Sequence, residues 1–519
     1  MNLTLTATAT PFLGSDLVRW LLTAAYVGLL LTICTYGLHR YWLVYLYRKH
    51  QKNTPRPARR FDQLPRVTLQ LPMFNEGAVA QRIIDAAAAM DYPRDRLQIQ
   101  VVDDSTDESA RLAQGRVEYW QTQGIDMQYC HRTDRTGYKA GALADATPDA
   151  TGEFIAIFDA DFIPPPSFFK RTVHYFTDDK LGMVQARWTH LNRDDSLLTR
   201  GQAIFLDGHF FVEHTARNRA GAFMHFNGTA GIWRRTCIED AGGWQHDTLT
   251  EDLDLSYRAQ LNGWNFLFLP WVRCPAELPP EINAFKSQQH RWTKGSIQTA
   301  RKLLPRLLRA PLPKAVKAEA FFHLTCPMVY LYMTLMTLLF YPAIYANVRF
   351  IDKGSWMGIL IGLAFFATGT ISAVLYYVTS QRRQHRSTWH TLMQTPMLMA
   401  IGIGIALNNA VACLEALVGH ESPFVRTPKY GNALGAGQPQ KAKVIAIPSM
   451  KLSITFLEIA LGVYMLWCAK LTLQVQDTIV GLPFLLLFAS GYFYVGFTSL
   501  WIHLRSRLDR RRPAKLQPA

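Results

Sequence analysis

The amino-acid sequence predicts an α/β domain, a mostly parallel sheet with helices on both faces, inserted between transmembrane α-helices. Three observations predict it. Residues 62–187 alternate between strand-like and helix-like periodicity, the pattern of strands joined by crossover helices. Apolar segments long enough to cross a bilayer lie on both sides of that region. Between Phe61 and Gly295 four signatures follow in order: Val101-Val102-Asp103-Asp104-Ser105, Phe158-Asp159-Ala160-Asp161, Thr250-Glu251-Asp252 and Gln288-Gln289-His290-Arg291-Trp292. One Asp pair is common in solvated turns. Four such signatures, each at a strand end or loop, point to a site that handles a sugar diphosphate beside a membrane.

The chain begins with an apolar segment from Trp20 to His39, followed by Tyr41-Trp42 and a basic cluster of Arg48, Lys49, Lys52, Arg56, Arg59 and Arg60. It lacks a basic n-region and exceeds a usual signal h-region, so residues 1–60 read as an uncleaved anchor with a cytosolic flank. A chain of 519 residues with 49% hydrophobic residues combines a soluble and a lipid-embedded part. The net charge of +16 is concentrated beside apolar segments, again at Arg382, Arg383 and Arg386 and at Arg505, Arg507, Arg510, Arg511 and Arg512. That placement follows the positive-inside rule, and no nucleic-acid-binding motif accompanies it, so nucleic acid is not expected as a partner. Seven scattered cysteines with no CxxC pair indicate neither a disulfide framework nor a zinc site.

Within 61–300, strand character falls on Val67–Leu71, Gln98–Val102, Met127–Cys130, Phe154–Phe158 and Met183–Ala186. Helical spacing covers Ala78–Met90 and Glu108–Gln123. Ligands of such sheets bind at the carboxyl ends of strands where strand order reverses. Asn75-Glu76, Asp103-Asp104 and Asp159-Ala160-Asp161 all follow strands, so they converge on one edge.

Each cluster has a chemical reading and a plainer one. Asp159 and Asp161, flanking a small Ala, are placed to hold Mg²⁺ or Mn²⁺, which neutralises a departing diphosphate; a solvated turn is the alternative. Asp103 and Asp104 can accept hydrogen bonds from a base imide and a ribose hydroxyl, while Ser105 and Thr106 can cap a helix with Glu108. Lys139 in Gly137-Tyr138-Lys139-Ala140-Gly141 suits a pyrophosphate, with small neighbours allowing close backbone approach. Glu251 and Asp252 open a helical stretch, where acidic residues also complement the dipole. A base is nevertheless required to take the acceptor hydroxyl proton, and Asp252 is the choice. Gln288, Arg291 and Trp292 share one helical face: Arg291 for phosphate oxygens, Trp292 for stacking on a sugar ring, with an interfacial Trp belt as the alternative. His209 and His214, five apart, do not share a helix face, no HExxH is present, and they receive no ligand role.

Residues 301–320, basic and apolar with three prolines in Lys302–Lys317, read as short interfacial helices. The remainder, 321–519, forms a membrane domain with about four transmembrane helices, at Phe321–Val348, Met357–Thr379, Leu452–Leu473 and Ile479–His503. Leu392–Val418 is apolar but carries Pro396, Asn408, Asn409 and Glu415. A full crossing there would export Arg426, Lys429, Lys441 and Lys443, so residues 392–418 are expected to be interfacial or re-entrant. That leaves about five crossings in all, the N-terminus outside and the C-terminus inside.

These residues resemble a known family. Gln70-Leu-Pro-Met-Phe-Asn-Glu76, Asp103-Asp-Ser-Thr-Asp107, Gly137-Tyr-Lys-Ala-Gly-Ala-Leu143, Phe158-Asp-Ala-Asp-Phe162, Val184-Gln-Ala-Arg-Trp188, Phe226-Asn-Gly-Thr-Ala-Gly-Ile-Trp233, Thr250-Glu-Asp252 and Gln288-Gln-His-Arg-Trp292 are similar to the motifs of processive family 2 glycosyltransferases. The likeness is strongest to the cellulose-synthase-like proteins that make glucomannan or β-1,4-glucan. It is strong from about Leu64 to Gly295 and looser over the membrane part. There Phe424-Val-Arg-Thr-Pro-Lys429, in the loop 419–450, is similar to a cellulose-synthase gating loop, with Arg426 where that motif usually has Val.

The resemblance implies a GT-A fold, inversion at the donor carbon and a β-linked polymer fed through the enzyme's own helices. It assigns Pro72, Asn75, Glu76, Asp103, Asp104, Lys139, Asp159 and Arg291 to the nucleotide sugar, and Asp159 and Asp161 to the metal. Asp252, with Glu251 beside it, supplies the base. Phe226, Asn227, Gly228, Thr229, Gln288 and Trp292 line the acceptor, and Phe424, Arg426, Thr427 and Lys429 form the gate. No PilZ-like regulatory domain is expected after the last span. The donor is UDP-glucose first and GDP-mannose second, the acceptor a growing polysaccharide or a glycolipid, and the setting the lipid of a bacterial inner membrane with the catalytic domain cytosolic. A non-processive enzyme adding one or a few sugars to a lipid is the nearer alternative. A transporter with a regulatory domain would not account for the acidic motifs.

Overall fold

The computed structural model describes residues 16–345, 364–422, 452–474 and 481–511. Seven strands, β1 (Val67–Met73), β2 (Leu97–Asp103), β3 (Met127–His131), β4 (Phe154–Ile157), β5 (Leu181–His190), β6 (Gly231–Arg234) and β7 (Asn265–Ala276), form one sheet in the order β3-β2-β1-β4-β6-β5-β7. β1 to β4 run parallel, and only β6 is antiparallel to its neighbours β4 and β5. The helices of this part of the chain are α1 (Asp16–His50), α2 (Gly77–Ala88), α3 (Ser109–Thr122), α4 (Tyr138–Ala146), α5 (Phe168–Thr172), α6 (Leu197–Gly208), α7 (Thr215–Arg219), α8 (Arg235–Asp240), α9 (Glu251–Leu261), α10 (Ile282–Arg309), α11 (Lys314–Thr325) and α12 (Met328–Tyr345).

Burial on both faces explains the composition of the strands. In β4, Phe154 and Ala156 enter one core with Leu69 and Leu71, while Ile155 and Ile157 enter a second with Met183 and Trp233. Chain order steps outward from β1 to β3, then returns to place β4 on the other side of β1. The crevice opens at that reversal.

The five expected strands are present. β6 and β7 were not foreseen. β6 has only four residues, and β7 carries Pro270 and Pro275, which argue against a strand. β7 tolerates them as an edge strand, with a register shift against β5 between Ala186 and Arg187. The bulged turn is held by Arg187 Nε donating to the Pro270 carbonyl at 2.9 Å.

Lys302–Lys317 is not a set of short helices. Its first half continues α10, which runs unbroken through Pro305. Leu303 and Leu307 pack with Tyr257 and Leu324 in a separate core, and this burial outweighs the hydrogen bond that proline cannot donate. The span expected at Phe321–Val348 bends by 58° between α11 and α12, at Cys326-Pro327.

Asp16–His50, Leu452–Gln474 and Leu482–Leu508 are each long and apolar enough to cross a membrane, and two bent pairs qualify as broken spans or re-entrant loops. One pair is Lys314–Thr325 with Met328–Ala343; the other is Thr388–Gly404 with Ala406–Val418, bent by 42°. Two polar side chains of the second pair, Asn408 and Glu415, find partners on α10. Asn408 Nδ2 donates to the Lys286 carbonyl at 3.0 Å, and Glu415 takes Lys294 at 2.9 Å and His290 at 3.1 Å. These contacts tie the pair to α10, and Lys286 further ties α10 to Glu458 of the helix Leu452–Gln474.

Candidate active site

The carboxyl ends of β1, β2 and β4 bring the first three acidic clusters to one edge. Asn75 sits in the left-handed region at φ 52°. Its N–H donates to Ser105 Oγ at 2.7 Å, and its Oδ1 accepts from the Thr106 N–H at 2.8 Å, so the loops after β1 and β2 are clasped together. Pro72 and Glu76 are buried beside it. Asp103 Oδ1 accepts from the Ser105 N–H at 2.9 Å and Oδ2 from the Tyr129 hydroxyl at 2.8 Å. Asp104 is held by both arms of Arg132, each at 2.8 Å. Asp104 first, and Asp145 after the cost of burial, raise the Arg132 pKa. Arg132 and Tyr129 were missed by sequence reasoning, although both fall on or beside β3. Arg135 also escaped notice; it stacks 3.3 Å over the Phe74 ring and 5.0 Å from Tyr138, a flat cationic surface at the crevice.

Lys139 joins Asp159 to the loop at Gly228. Its Nζ donates to Asp159 Oδ1 at 2.5 Å and to the Gly228 carbonyl at 2.9 Å. Burial works against its charge, but Asp159, Glu251 and Asp252 outweigh it and raise the pKa. Gly228 has φ +78°, and a Cβ there would lie 3.1 Å from Asp252 Oδ2. Both disfavour a side chain there, and the backbone lies close to the base.

Asp252 lies in the first turn of α9, with Oδ1 accepting from the Leu253 N–H at 2.8 Å. Burial, then Glu251, pushes its pKa up to about 7, against the pull of that N–H, Lys139 and Arg291. A carboxylate held near neutrality can take a proton from a hydroxyl and release it again. α10 presses on the same turn: a Cβ at Gly295 would meet Thr250 Oγ1 at 2.6 Å, and the Leu249 N–H donates to Gln298 Oε1 at 2.9 Å. Gln288, Arg291 and Trp292 are half-buried on α10, with Arg291 near enough to act on Asp252.

The acceptor loop differs from expectation in one respect. The Phe226 ring is fully buried against Trp233, with centroids 5.6 Å apart, and its N–H donates to Ser256 Oγ at 2.9 Å. It therefore anchors the loop from inside the core instead of presenting a face to a ligand. Thr229 Oγ1 accepts from the Asp159 N–H at 2.8 Å, and Asn227 receives imidazole contacts. His209 and His214 do share a face, because His209–His214 winds as a π-helix and a π-turn brings i and i+5 together. The expected gate residues Phe424, Arg426, Thr427 and Lys429 lie outside the described residues.

The donor set suits a hard divalent ion. Asp159 and Asp161 stand at a strand end with Lys139 offsetting charge on Asp159, a position where Mg²⁺ or Mn²⁺ would be held by oxygen ligands. Such an ion supplies charge to a departing diphosphate.

Residues 65–295 match the family model described as glycosyltransferase like family 2. Over 457 residues, 84% of this chain and 82% of the relative, the sequence is 34% identical to glucomannan 4-beta-mannosyltransferase 1 of Cyamopsis tetragonoloba. It is 44% identical to glucomannan 4-beta-mannosyltransferase 2 of Arabidopsis thaliana over 253 residues, 48% of this chain and 47% of that one. Among solved structures, the mannosyltransferase PcManGT from Pyrobaculum calidifontis, in complex with GDP-Man and Mn²⁺, superposes with a TM-score of 0.54 at 22% identity, covering 77% of this chain and all of its own. That likeness bears on the fold, which is GT-A-like: a mostly parallel seven-stranded sheet flanked in sequence by apolar helices. The protein is a membrane-integral hexosyltransferase. It belongs to the family 2 glycosyltransferases, cellulose-synthase-like branch.

Proposed function

We propose that the chain transfers mannosyl units from GDP-mannose to a growing β-1,4-linked mannan or glucomannan, with inversion, and passes the product across the membrane through its own helices. The similarity to a glucomannan 4-beta-mannosyltransferase, extending over most of both chains, carries the choice of sugar. We therefore rank GDP-mannose ahead of UDP-glucose, the reverse of the order drawn from the sequence alone. An acceptor hydroxyl attacks the anomeric carbon, its proton passes to Asp252, and the nucleoside diphosphate leaves from the opposite side as an anion. A base near pKa 7 and the cationic groups Lys139 and Arg291 support those roles. Mg²⁺ or Mn²⁺ at Asp159 and Asp161, and a cytosolic catalytic unit over 61–300, complete the proposal.

A donor panel tests it. Purified enzyme supplied with GDP-mannose should release GDP and build a polymer that β-mannanase degrades, with incorporation of glucose from UDP-glucose slower or dependent on both donors. Release of UDP alone would overturn the sugar assignment. Products of only one or two residues would support the non-processive alternative.

A further inference from the structure

We propose that His209, His214 and His225 form a second metal centre, for a first-row transition ion of the zinc type, distinct from the carboxylates Asp159 and Asp161. One ring nitrogen from each histidine lies within 4.8 Å of the other two. The π-turn at His209–His214 brings the first two together, and His225 arrives from the loop before β6. Zinc–nitrogen bonds of about 2.0–2.1 Å place tetrahedral ligands roughly 3.4 Å apart. Modest rotations of the three rings close the remaining distance.

The orientation of the rings suits ligation. The three Nε2 atoms converge on the Asn227 amide: Nδ2 lies 3.0 Å from Nε2 of both His209 and His225, and Oδ1 lies 2.7 Å from His214 Nε2. That amide marks the centre of the cluster, and a turn of its side chain offers Oδ1 as a fourth ligand. Behind His209, Nδ1 meets Glu213 Oε2 at 3.0 Å, the carboxylate–imidazole pairing that fixes a ligand's tautomer and aims its other nitrogen. Glu213 is held in turn by Arg217 at 3.1 Å and by the Tyr376 hydroxyl at 2.8 Å. Arg217 also pairs with Glu319 at 2.9 Å, so two carboxylates share one guanidinium beside the cluster.

Three imidazoles select zinc, cobalt or nickel over magnesium, which prefers oxygen. Bound there, the ion would pin the loop Asn227–Thr229 to the π-turn. Gly228 in that loop contacts Lys139, so the ion would be a positioning element for the acceptor side of the site.

The experiment reads metal directly. Full-length protein in detergent is stripped with chelator, exposed to Zn²⁺ or Co²⁺, freed of excess by gel filtration and measured by mass spectrometry for metal content. Wild-type protein should retain stoichiometric zinc and give the ligand-field absorption of nitrogen-bound Co²⁺. His209→Gln and His225→Gln, which keep a hydrogen-bonding group toward Asn227, should lose both while melting as cooperatively as wild type. Asp159→Ala should keep the zinc yet lose transfer, so this proposal and the functional one fail separately. Wild-type protein retaining no more zinc than His225→Gln would overturn the second centre, as would a Co²⁺ spectrum of oxygen-only ligation.

Discussion

Lys286 and Glu458 form an ion pair whose nitrogen lies 2.6 and 2.8 Å from the two carboxylate oxygens, with both side chains fully enclosed. The pair joins α10, which carries Gln288, Arg291 and Trp292, to the apolar helix Leu452–Gln474. Removing one partner leaves a buried charge uncompensated, at a cost of about 3–5 kcal/mol, whereas replacing both with apolar residues is near neutral. Lys286→Met should therefore lower the thermal midpoint sharply, and Lys286→Met with Glu458→Leu should restore most of it. A double variant as unstable as the single one would remove the pair from any role in joining the helices.

Asp252→Asn should reduce transfer by roughly 10²–10⁴-fold while nucleotide affinity, measured by calorimetry, changes only a few-fold. Retained polymer synthesis in this variant would refute the assignment of the base.

The pH profile carries the same assignment with a sign. Asp252 acts when ionised, so log(kcat/KM) should rise with pH up to about 7 and then level off. Glu251 raises that pKa by charge repulsion, so Glu251→Gln should move the acidic limb to lower pH. A shift to higher pH, or none, would show that another group sets the limb.

Asp159→Ala or Asp161→Ala should abolish the response of activity to Mg²⁺ or Mn²⁺ along with activity itself, because the leaving diphosphate is left uncompensated. Full activity of the parent enzyme in chelator, after the metal content has been measured as nil, would contradict the assignment.

The last prediction concerns topology. The bent pair Thr388–Val418 should enter and leave on the cytosolic side, keeping the basic residues that follow it inside. Single cysteines at Arg383 and Ala442, in a background lacking the native ones, should resist an impermeant thiol reagent in intact cells and react in inverted vesicles. Outside labelling at Ala442 alone would make the pair a full crossing.

What the sequence disclosed tracks how local each signal is. The first five strands were legible as short runs of strand character between helical stretches, and the acidic clusters follow β1, β2 and β4. β7 was not legible, since Pro270 and Pro275 read as breakers until an edge position and a bulge accommodate them. Partners set by tertiary approach were hidden as well. Nothing near Asp104 in sequence announces that Arg132 will grip both its oxygens, and the π-turn that aligns His209 with His214 inverts an argument founded on α-helical spacing. Phe226 belonged to a recognisable motif, yet its burial against Trp233 follows from how β6 returns to the sheet.

The position of β7 has a consequence for synthesis. It pairs with β5 across some eighty intervening residues of chain, from Leu181↔Asn265 to His190↔Ala276. A nascent chain has thus already delivered its first apolar helix to the translocation machinery when the sheet still lacks its outermost strand, and β5 waits with an open edge. Domains generally fold as units, and unpaired strand edges invite aggregation. Pauses in translation or chaperone occupancy should accordingly matter most while residues 191–276 are emerging, and truncations ending in that interval should aggregate at the membrane surface.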